Sequence, residues 1–410
     1  MMYEFLLKPE ELAIRDKVRQ FVKDEIPSQM LREMDLSNIE SGRWLVEKAG
    51  SRGILGLRFP FEYGGQAMNW VTDIAATEET GVVGFAPSCA YVMPSIVGEA
   101  LNLFGTEDQK KRYLVPTLKG KLYSAEALTE PRGGSDFFGA TTTAIKDGDF
   151  FVLNGEKRFV VGAQDSDWFL VYAKSDPDAR PHDSISCFIV ERSFGIEVQN
   201  IYQLLGARGG GTGRLLFKDV RVPRENLVGE LNGAYSIFNK MMIPERLLPS
   251  AGIIGLARAA LEVAARYTTR RKAFDQTINN FQAVSFMVAD SVTMLDAARA
   301  LCFTAARKAD LGQDTRRLVS EAKKFATDSS WGVINNAMQI MGGIGYTSIY
   351  PIERHLRDAR LGMIWTGTNQ IMSLLIQHEY YKDLKNSQGL TRDVEGDALN
   401  SEQEEEKHYG

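Results

Sequence analysis

The spacing of apolar residues changes twice along the chain and divides it into three parts. From about residue 8 to 115, apolar positions recur every three or four residues, and Ile14, Val18 and Phe21 share one face of a predicted helix. The same helical period returns from about residue 235 to 383. Two helical regions are therefore predicted, with a segment of a different kind between them.

The middle part, from about residue 121 to 230, carries short runs of β-branched and aromatic residues that are typical of strands. The runs are FFVLNGEKRFVVG, WFLVYAKS, SISCFIVER and RLLFKDVRV, and Asn154-Gly155 in the first predicts a tight turn. The pattern predicts an α+β protein with four parts: an N-terminal helical domain (1–120), a central β-domain (121–232), a C-terminal helical domain (233–385) and a disordered tail (386–410).

Composition and charge exclude several classes of protein. The 410 residues are 44% hydrophobic, enough for several packed layers, and the net charge of −5 argues against an extended nucleic-acid-binding surface. Cys89, Cys187 and Cys302 are far apart, so neither a disulfide framework nor a metal site is predicted. No apolar run reaches the roughly 18 residues of a membrane span. The N-terminus lacks a cleavable apolar core, which favours a cytoplasmic protein.

Two glycine-containing stretches are candidates for cofactor contact: ALTEPRGGSDFFG (127–139) and QIMGGIGY (339–346). Neither lies between a strand and a helix with the glycine spacing of a dinucleotide fingerprint. Small residues with exposed N–H groups can approach a flat ring or a phosphate closely, but they also form ordinary tight turns. Taken separately, each stretch leaves both interpretations open.

Nine pieces of the sequence, in the same order over about residues 5 to 385, resemble the acyl-CoA dehydrogenase family. They are PFEYGG (60–65), FGTEDQKKRYL (104–114), ALTEPRGGSD (127–136), LNGEKRFV (153–160), LLGARGGGT (204–212), RRKAF (270–274), QIMGGIGY (339–346), RDAR (357–360) and TGTNQI (366–371). The resemblance implies a helical domain, a β-domain and a C-terminal four-helix bundle, assembled as a homotetramer. It also implies FAD as cofactor, an acyl-CoA substrate and an electron-transferring flavoprotein as redox partner.

The resemblance also assigns residues to the cofactor. Those expected beside the flavin or its phosphates are Glu126, Ala127, Leu128, Thr129, Ser135, Phe159, Val160 and Val161. Those expected to reach the FAD of a neighbouring subunit are Arg271, Phe281, Gln282, Gln339, Gly342 and Gly343. Thr368, Asn369 and Gln370 are expected to close over the adenine-diphosphate end. Without the resemblance, Arg271 and Gln282 are ordinary surface residues of a helix.

The catalytic base is absent from the position where most relatives carry it. They have Glu in a pattern like E-G-T-[NS]-Q-I, whereas this chain has Thr366, a residue that cannot abstract a proton from carbon at neutral pH. The backbone of Thr366 and Gly367 is still expected to polarise the thioester carbonyl as an oxyanion hole. Isovaleryl-CoA and long-chain acyl-CoA dehydrogenases place the carboxylate on a neighbouring helix. The similar segment here, MMIPERLLPSAG, makes Glu245 the candidate base.

The residues around Glu245 have a simpler interpretation as well. Pro244-Glu245 matches the first turn of a helix, with Pro at the first position and an acid favoured by the helix dipole. A helix N-terminus would lower the pKa of Glu245 and weaken it as a base, whereas desolvation by a bound substrate would raise that pKa.

Substrate choice is bounded by the segment 82–103, which resembles the helix that lines the acyl pocket and contains no Lys or Arg. Tyr91 and Met93 are expected as pocket walls, and Gly362 replaces a common Tyr and leaves room beside the acyl chain. Ser135, Arg246 and Gly367 are further candidates for substrate contact. A branched, cyclic or aryl-bearing acyl-CoA is favoured.

Three functions are compatible with the sequence. The favoured one is a dehydrogenase that uses Glu245 as base. The second is a non-dehydrogenating enzyme on the same fold, such as a desulfinase, and the third is a catalytically silent subunit that binds flavin. Phe159-Val160-Val161 stands where relatives carry Trp-Ile-Thr or Trp-Ile-Ser, so the hydroxyl that meets the flavin is absent and an altered flavin potential is expected.

Overall fold

The computed structural model describes residues 3–386 together with residues 390, 392 and 394. The prediction of a disordered tail over 386–410 therefore falls almost entirely outside the described residues. The helices before the strands are α1 (Pro9–Glu25), α2 (Ser28–Asp35), α3 (Arg43–Ser51), α4 (Trp70–Gly81), α5 (Phe85–Phe104), α6 (Glu107–Gln109) and α7 (Val115–Leu118). The helices after them are α8 (Ala234–Thr268), α9 (Gln282–Asp310), α10 (Arg316–Met341), α11 (Ile352–Gly362) and α12 (Asn369–Asn386).

The middle segment folds into an eight-stranded sheet with the order β6-β7-β3-β2-β4-β5-β8, and β1 pairs with β4 in parallel. Its strands are β1 (Ser124–Ala127), β2 (Thr143–Asp147), β3 (Phe150–Val160), β4 (Trp168–Lys174), β5 (Ile185–Glu191), β6 (Glu197–Ile201), β7 (Gly213–Pro223) and β8 (Leu227–Val228). Two short strands, β9 (Lys272–Ala273) and β10 (Gln276–Thr277), pair between α8 and α9. The sheet between two helical regions confirms the α+β prediction.

The turn predicted at Asn154-Gly155 is wrong, because both residues lie within β3. The pairing of β3 with β7 slips between Leu153 and Gly155, so the dipeptide forms a bulge in a continuous strand. Gly155 has a φ of +142°, and a side chain there would meet the backbone of Thr142 at 2.6 Å. The lack of a side chain at Gly155 therefore allows the backbone of Thr142 to approach β3 closely.

Strand β4 is buried on both faces, which explains its unbroken apolar run. Trp168, Leu170 and Tyr172 pack into the large core shared with the helices. Phe169 and Val171 alternate with them and pack into a second core inside the β-domain. Because neighbouring residues of one strand belong to different cores, β4 fixes the sheet against the helices that carry the functional site.

Helix α8 runs through the centre of the fold and contains Pro244 and Pro249. By length and composition it could span a membrane, yet 78% of its most apolar stretch is buried inside the protein, as in the core helix of a packed domain. The interpretation of Pro244-Glu245 as a first turn is wrong, since α8 begins at Ala234. Glu245 therefore lies in the helix interior, where the N-terminal dipole no longer acts on it.

A buried ion pair anchors the loop after β1 to the sheet. Lys157 on β3 donates to Glu130 at 2.7 Å, and both side chains are almost fully buried. Glu130 also accepts hydrogen bonds from Thr141 and Thr142. Burial alone would raise the pKa of Glu130, but the charge of Lys157 and these hydrogen bonds outweigh it and lower the pKa to about 2. The loop is thus held by a carboxylate that stays charged.

Replacing Lys157 by Met should lower the free energy of unfolding by about 3–5 kcal/mol, because Glu130 is left charged and buried without its cation. Urea denaturation at neutral pH measures the loss. The matched control is Lys218→Met, which breaks a pair of Lys218 with Glu197 whose side chains are 71% and 54% exposed. That change should cost less than about 1 kcal/mol. Equal losses in the two variants would contradict the structural role given to Lys157.

Candidate functional site

A cavity of about 350 Å³ opens where the sheet meets α8 and the segment that follows α11. Its wall brings together β1 with its following loop, the end of β3, helices α5 and α8, and residues 361–371. The lining residues are Met93, Glu126, Leu128, Thr129, Gly134, Ser135, Phe137, Arg158, Phe159, Val161, Phe238, Met242, Glu245, Arg246, Leu361, Ile364, Trp365, Thr366, Gly367, Thr368 and Ile371. Segments far apart in sequence thus meet at one site.

Two carboxyl groups lie in contact in the cavity wall. Glu245 projects from α8, Glu126 projects from β1, and the two side chains are within hydrogen-bonding reach of each other. Burial raises the pKa of Glu245 well above its ordinary value, and the neighbouring carboxyl of Glu126 raises it further. Burial also raises the pKa of Glu126. Two carboxylates this close cannot both remain charged at low cost, so the pair holds one proton around neutral pH.

The surroundings of the two acids differ. Tyr172 places its hydroxyl beside Glu126, and the cation of Lys157 also favours the charged form of Glu126. Glu245 has Arg246 as its neighbouring cation. The guanidinium of Arg246 is directed elsewhere, with Nη1 donating to the Ser320 hydroxyl at 3.4 Å and Nε reaching the Thr366 carbonyl at 3.5 Å.

The segment after α11 forms a turn that faces the two acids. Thr366 and Gly367 have φ values of +56° and +88°, a left-handed conformation that is strained for a β-branched residue. The Thr366 hydroxyl donates to the carbonyl of Trp365 at 2.8 Å. From below, Lys323 donates to the carbonyl of Gly367 at 2.8 Å. Burial lowers the pKa of Lys323 to about 7, and the nearby Arg246 adds to the effect.

The rest of the wall is apolar and rich in aromatic rings. Phe137 and Phe238 stack with their centroids 4.2 Å apart, and the Tyr172 ring meets Phe137 edge-on. Trp365 also lines the cavity and packs edge-on against Phe85. The arrangement can receive a flat or bulky apolar group beside the two carboxyls.

The cavity fits a flavin in shape and in chemistry. The residues predicted to line the ring that meet in this cavity are Glu126, Leu128, Thr129, Ser135, Phe159 and Val161. Phe159 has a φ of +58° at an irregularity in β3, which turns this part of the strand toward the cavity. The buried Nε of Arg158 has no hydrogen-bond partner among the described residues, so the wall offers a donor to a polar group of the cofactor.

Other predicted residues lie outside the cavity. Tyr91 is buried among the helices, donates to the carbonyl of Ile54 at 2.9 Å and is not among the residues that line this cavity. Gly362 leaves no space either, because a side chain there would meet Ile253 at 2.1 Å. The amide of Asn369 accepts from Lys323 at 2.8 Å and donates to neighbouring groups, which places it beneath the turn.

The remaining predicted residues divide into two groups. Ala127 and Val160 are buried in the β-domain core next to cavity-lining neighbours. The side chains expected to reach a neighbouring subunit lie at the surface of the protomer or partly exposed, as does Gln370; they are Arg271, Phe281, Gln282, Gln339, Gly342 and Gly343. Of the residues predicted for substrate contact or catalysis, the cavity wall contains Met93, Ser135, Arg246, Glu245, Thr366 and Gly367, together with Thr368 from the cofactor set.

Several residues that line the cavity are not predicted by the sequence patterns. The apolar ones are Phe137, Phe238, Met242, Leu361, Ile364, Trp365 and Ile371, and the polar one is Arg158. Glu126 was predicted as a flavin neighbour but not as an acid of the site. A polar residue between two alanines in a strand-like stretch, S-A-E-A, was the available signal, since an acid in a buried strand needs a partner.

Models of the three acyl-CoA dehydrogenase domains match this chain. The N-terminal domain matches residues 8–121, the middle domain residues 125–220 and the C-terminal domain residues 232–380. Together they cover most of the 410 residues. The resemblance inferred from the nine sequence pieces is thereby confirmed.

Relatives and solved structures agree with the domain models. The chain is 35% identical to a 3-(aryl)acrylate reductase of Clostridium sporogenes over 92% of this chain and 100% of that protein. It is 36% identical to the caffeyl-CoA reductase-Etf complex subunit CarC of Acetobacterium woodii over 88% of this chain and 96% of that one. The structure of butyryl-CoA dehydrogenase from Megasphaera elsdenii superposes with a TM-score of 0.88 at 30% identity, covering 92% of this chain and 99% of that chain. The chain therefore belongs to the acyl-CoA dehydrogenase family of FAD-dependent oxidoreductases.

Proposed function

We propose that this protein interconverts a saturated acyl-CoA and its α,β-unsaturated counterpart, with Glu245 as the group that exchanges the α-proton. The observation that carries the proposal is the position of Glu245 in the cavity wall, across from a turn whose Thr366 has no acidic side chain. Desolvation raises the pKa of Glu245, which makes its carboxylate a stronger base once it is charged.

Each polar element of the site has a separate task in this reaction. The backbone N–H groups of the turn at Thr366 and Gly367 would polarise the thioester carbonyl, which makes the α-proton acidic. Glu245 would remove or return that proton. Lys323 would hold the turn through the Gly367 carbonyl. When bound, FAD would supply the hydride acceptor or donor for the β-carbon, and the residues that would hold it are Leu128, Thr129, Ser135, Phe159 and Val161.

The substrate we favour carries an aryl or a branched group on the β-carbon. The stacked pair Phe137 and Phe238 and the indole of Trp365 give the cavity aromatic walls, with Met93 and Met242 as adaptable apolar contacts. Relatives at 35% and 36% identity bear the names of an aryl-acrylate reductase and a caffeyl-CoA reductase subunit. Both names describe acyl groups with an aromatic ring at the β-carbon.

We further propose an electron-transferring flavoprotein as redox partner, since the relative CarC is named as part of a complex with one. A homotetramer in the cytoplasm is the assembly that suits the exposed Arg271, Gln282 and Gln339. In such an assembly these residues would meet the FAD of a neighbouring protomer rather than solvent.

Replacing Glu245 by Gln should lower the rate of flavin reduction by a saturated aryl-acyl-CoA about 100- to 10,000-fold, because the proton acceptor is lost while shape is retained. Anaerobic stopped-flow spectroscopy of the holoenzyme with 3-phenylpropanoyl-CoA measures bleaching of the flavin band. The control is Glu225→Gln, an identical change at an exposed residue after β7, which should leave the rate unchanged.

Two results would contradict the proposed function. Flavin reduction that persists in Glu245→Gln would mean that the reaction does not need this base, as in a desulfinase-like enzyme. No bleaching by any branched or aryl acyl-CoA in the unaltered protein would favour a silent flavin-binding subunit.

The raised pKa of Glu245 also predicts how stability depends on pH. The folded protein keeps a proton that the unfolded chain releases above about pH 4.3, so the contribution of Glu245 is present below that pH and is lost as pH rises toward the folded pKa. Glu245→Gln stays neutral throughout. Its free energy of unfolding relative to the unaltered protein should therefore increase between about pH 5 and pH 8. Urea denaturation across that range tests it, and a difference that is constant with pH would contradict the burial of an ionisable Glu245.

A further inference from the structure

The contact between Glu126 and Glu245 is asymmetric, and the asymmetry decides which oxygen carries the proton. The Tyr172 hydroxyl lies beside Glu126, and among the described residues both that hydroxyl and Oε1 of Glu126 are buried without a hydrogen-bond partner. The hydroxyl proton of Tyr172 is therefore available to a charged Glu126. The cation of Lys157 on β3 also favours the charged form of Glu126.

Glu245 lacks a comparable hydrogen-bond donor that would stabilise its charged form. Within the described part of the chain, its carboxyl accepts no hydrogen bond from Arg246, whose guanidinium is directed to Ser320 and the Thr366 carbonyl. The acidic group that acts on the Glu245 carboxyl is Glu126, whose charge favours the protonated form of Glu245. The shared proton is thus most stable on Glu245, from which it is donated to the charged carboxylate of Glu126.

We propose that Glu126 is a positioning residue that keeps Glu245 protonated in the resting site, so that the site is set to protonate the α-carbon in the reduction of a β-aryl α,β-unsaturated acyl-CoA. The inference rests on the proposed function. It adds the direction of the reaction, which is reduction, and the role of a second acidic residue, Glu126.

The atoms and electrons of the reductive step balance. The β-carbon would gain a hydride, with both electrons, which the bound cofactor in its reduced state would supply, and the C=C π bond would break. Its electron pair forms the new C–H bond at the α-carbon with the proton of Glu245, whose O–H bond breaks. Glu245 is left as a carboxylate beside Glu126, an unfavourable pair of like charges that takes up one proton from solvent.

Apart from Lys323 beneath the turn, whose pKa burial lowers to about 7, the other titratable groups around the pair favour one charge state across the neutral range. Burial raises the pKa values of Tyr172, Cys187 and Cys89 well above their ordinary values, so these groups stay neutral. Burial lowers the pKa of Lys157, but the charge and hydrogen bond of Glu130 oppose that change and favour the cation. Burial lowers the pKa of Arg246 only to about 10, so it too stays charged. Because Lys323 is present in the unaltered protein and in Glu126→Gln alike, the difference in pH dependence between these two proteins reports the two glutamates.

The test compares both directions of the half-reaction in one holoenzyme, over the range from about pH 6 to about pH 9 in which perturbed carboxyls titrate. Reduced enzyme is mixed with 3-phenylacryloyl-CoA and oxidised enzyme with 3-phenylpropanoyl-CoA, each without oxygen. In the unaltered protein the rate of reduction of 3-phenylacryloyl-CoA should fall with rising pH, and the rate of oxidation of 3-phenylpropanoyl-CoA should rise. The two rates should therefore become equal at one pH, the crossing. In Glu126→Gln the amide donates to Glu245 and stabilises its carboxylate, and the crossing should move down by about one pH unit, a tenfold change in the ratio of rates at fixed pH.

A second variant and a second readout separate this role from a structural one. Tyr172→Phe removes the donor that favours charge on Glu126 and should shift the crossing in the same direction by a smaller amount. Urea denaturation of Glu126→Gln should show a weaker fall of stability with rising pH, whereas a merely structural role would shift stability equally at all pH values. Glu225→Gln serves as the control for the loss of one charge at the surface.

The outcomes distinguish the inference from the proposed function. An unchanged crossing in both Glu126→Gln and Tyr172→Phe, with both rates abolished in Glu245→Gln, would overturn the role of Glu126 and leave Glu245 as the proton-exchanging group. Both rates retained in Glu245→Gln would overturn the proposed function itself. A crossing at lower pH in Glu126→Gln, together with a weaker dependence of its stability on pH, would support the inference.

Discussion

The site depends on a contact between two acids that approach from different layers of the fold. Glu126 belongs to a short edge strand of the sheet, and Glu245 belongs to the central helix. Neither carboxyl could be buried alone at low cost, because an isolated charge in an apolar interior is strongly disfavoured. Sharing one proton lets both remain in the wall of the cavity. The chemistry of the site therefore depends on how accurately β1 and α8 are held together.

The backbone around Glu245 combines an interrupted helix with firm anchoring of the neighbouring elements. Pro249 has no N–H to donate to the carbonyl of Glu245, and Pro244 withholds the same bond from Lys240, so the helix ladder is interrupted on either side of the acid. The surrounding turns of α8 are deeply buried among other helices. On the opposite side, the loop after β1 is tied by Glu130 to Lys157. Local freedom at Glu245 is thus combined with rigid support around it.

Much of this was predictable from the sequence, and the failures have physical reasons. The unbroken run WFLVYAK indicated a buried strand, and the helical periods indicated the flanking regions. Asn154-Gly155 was misjudged, because its local preference for a turn gave way to pairing on both sides of β3. Pro244 suggested a helix start, but burial of the flanking apolar residues continued the helix through it. The partnership of Glu126 with Glu245 was hidden, because no local pattern encodes a contact between distant segments.

Strand β4 has a consequence for how the molecule unfolds. Trp168, Leu170 and Tyr172 belong to the helical core, whereas Phe169 and Val171 belong to the interior of the β-domain. Separating the two regions would expose one complete side of this strand to water. Melting of either region should therefore draw the other with it, and the three parts of the chain should behave as one cooperative unit rather than as modules that can be exchanged between proteins.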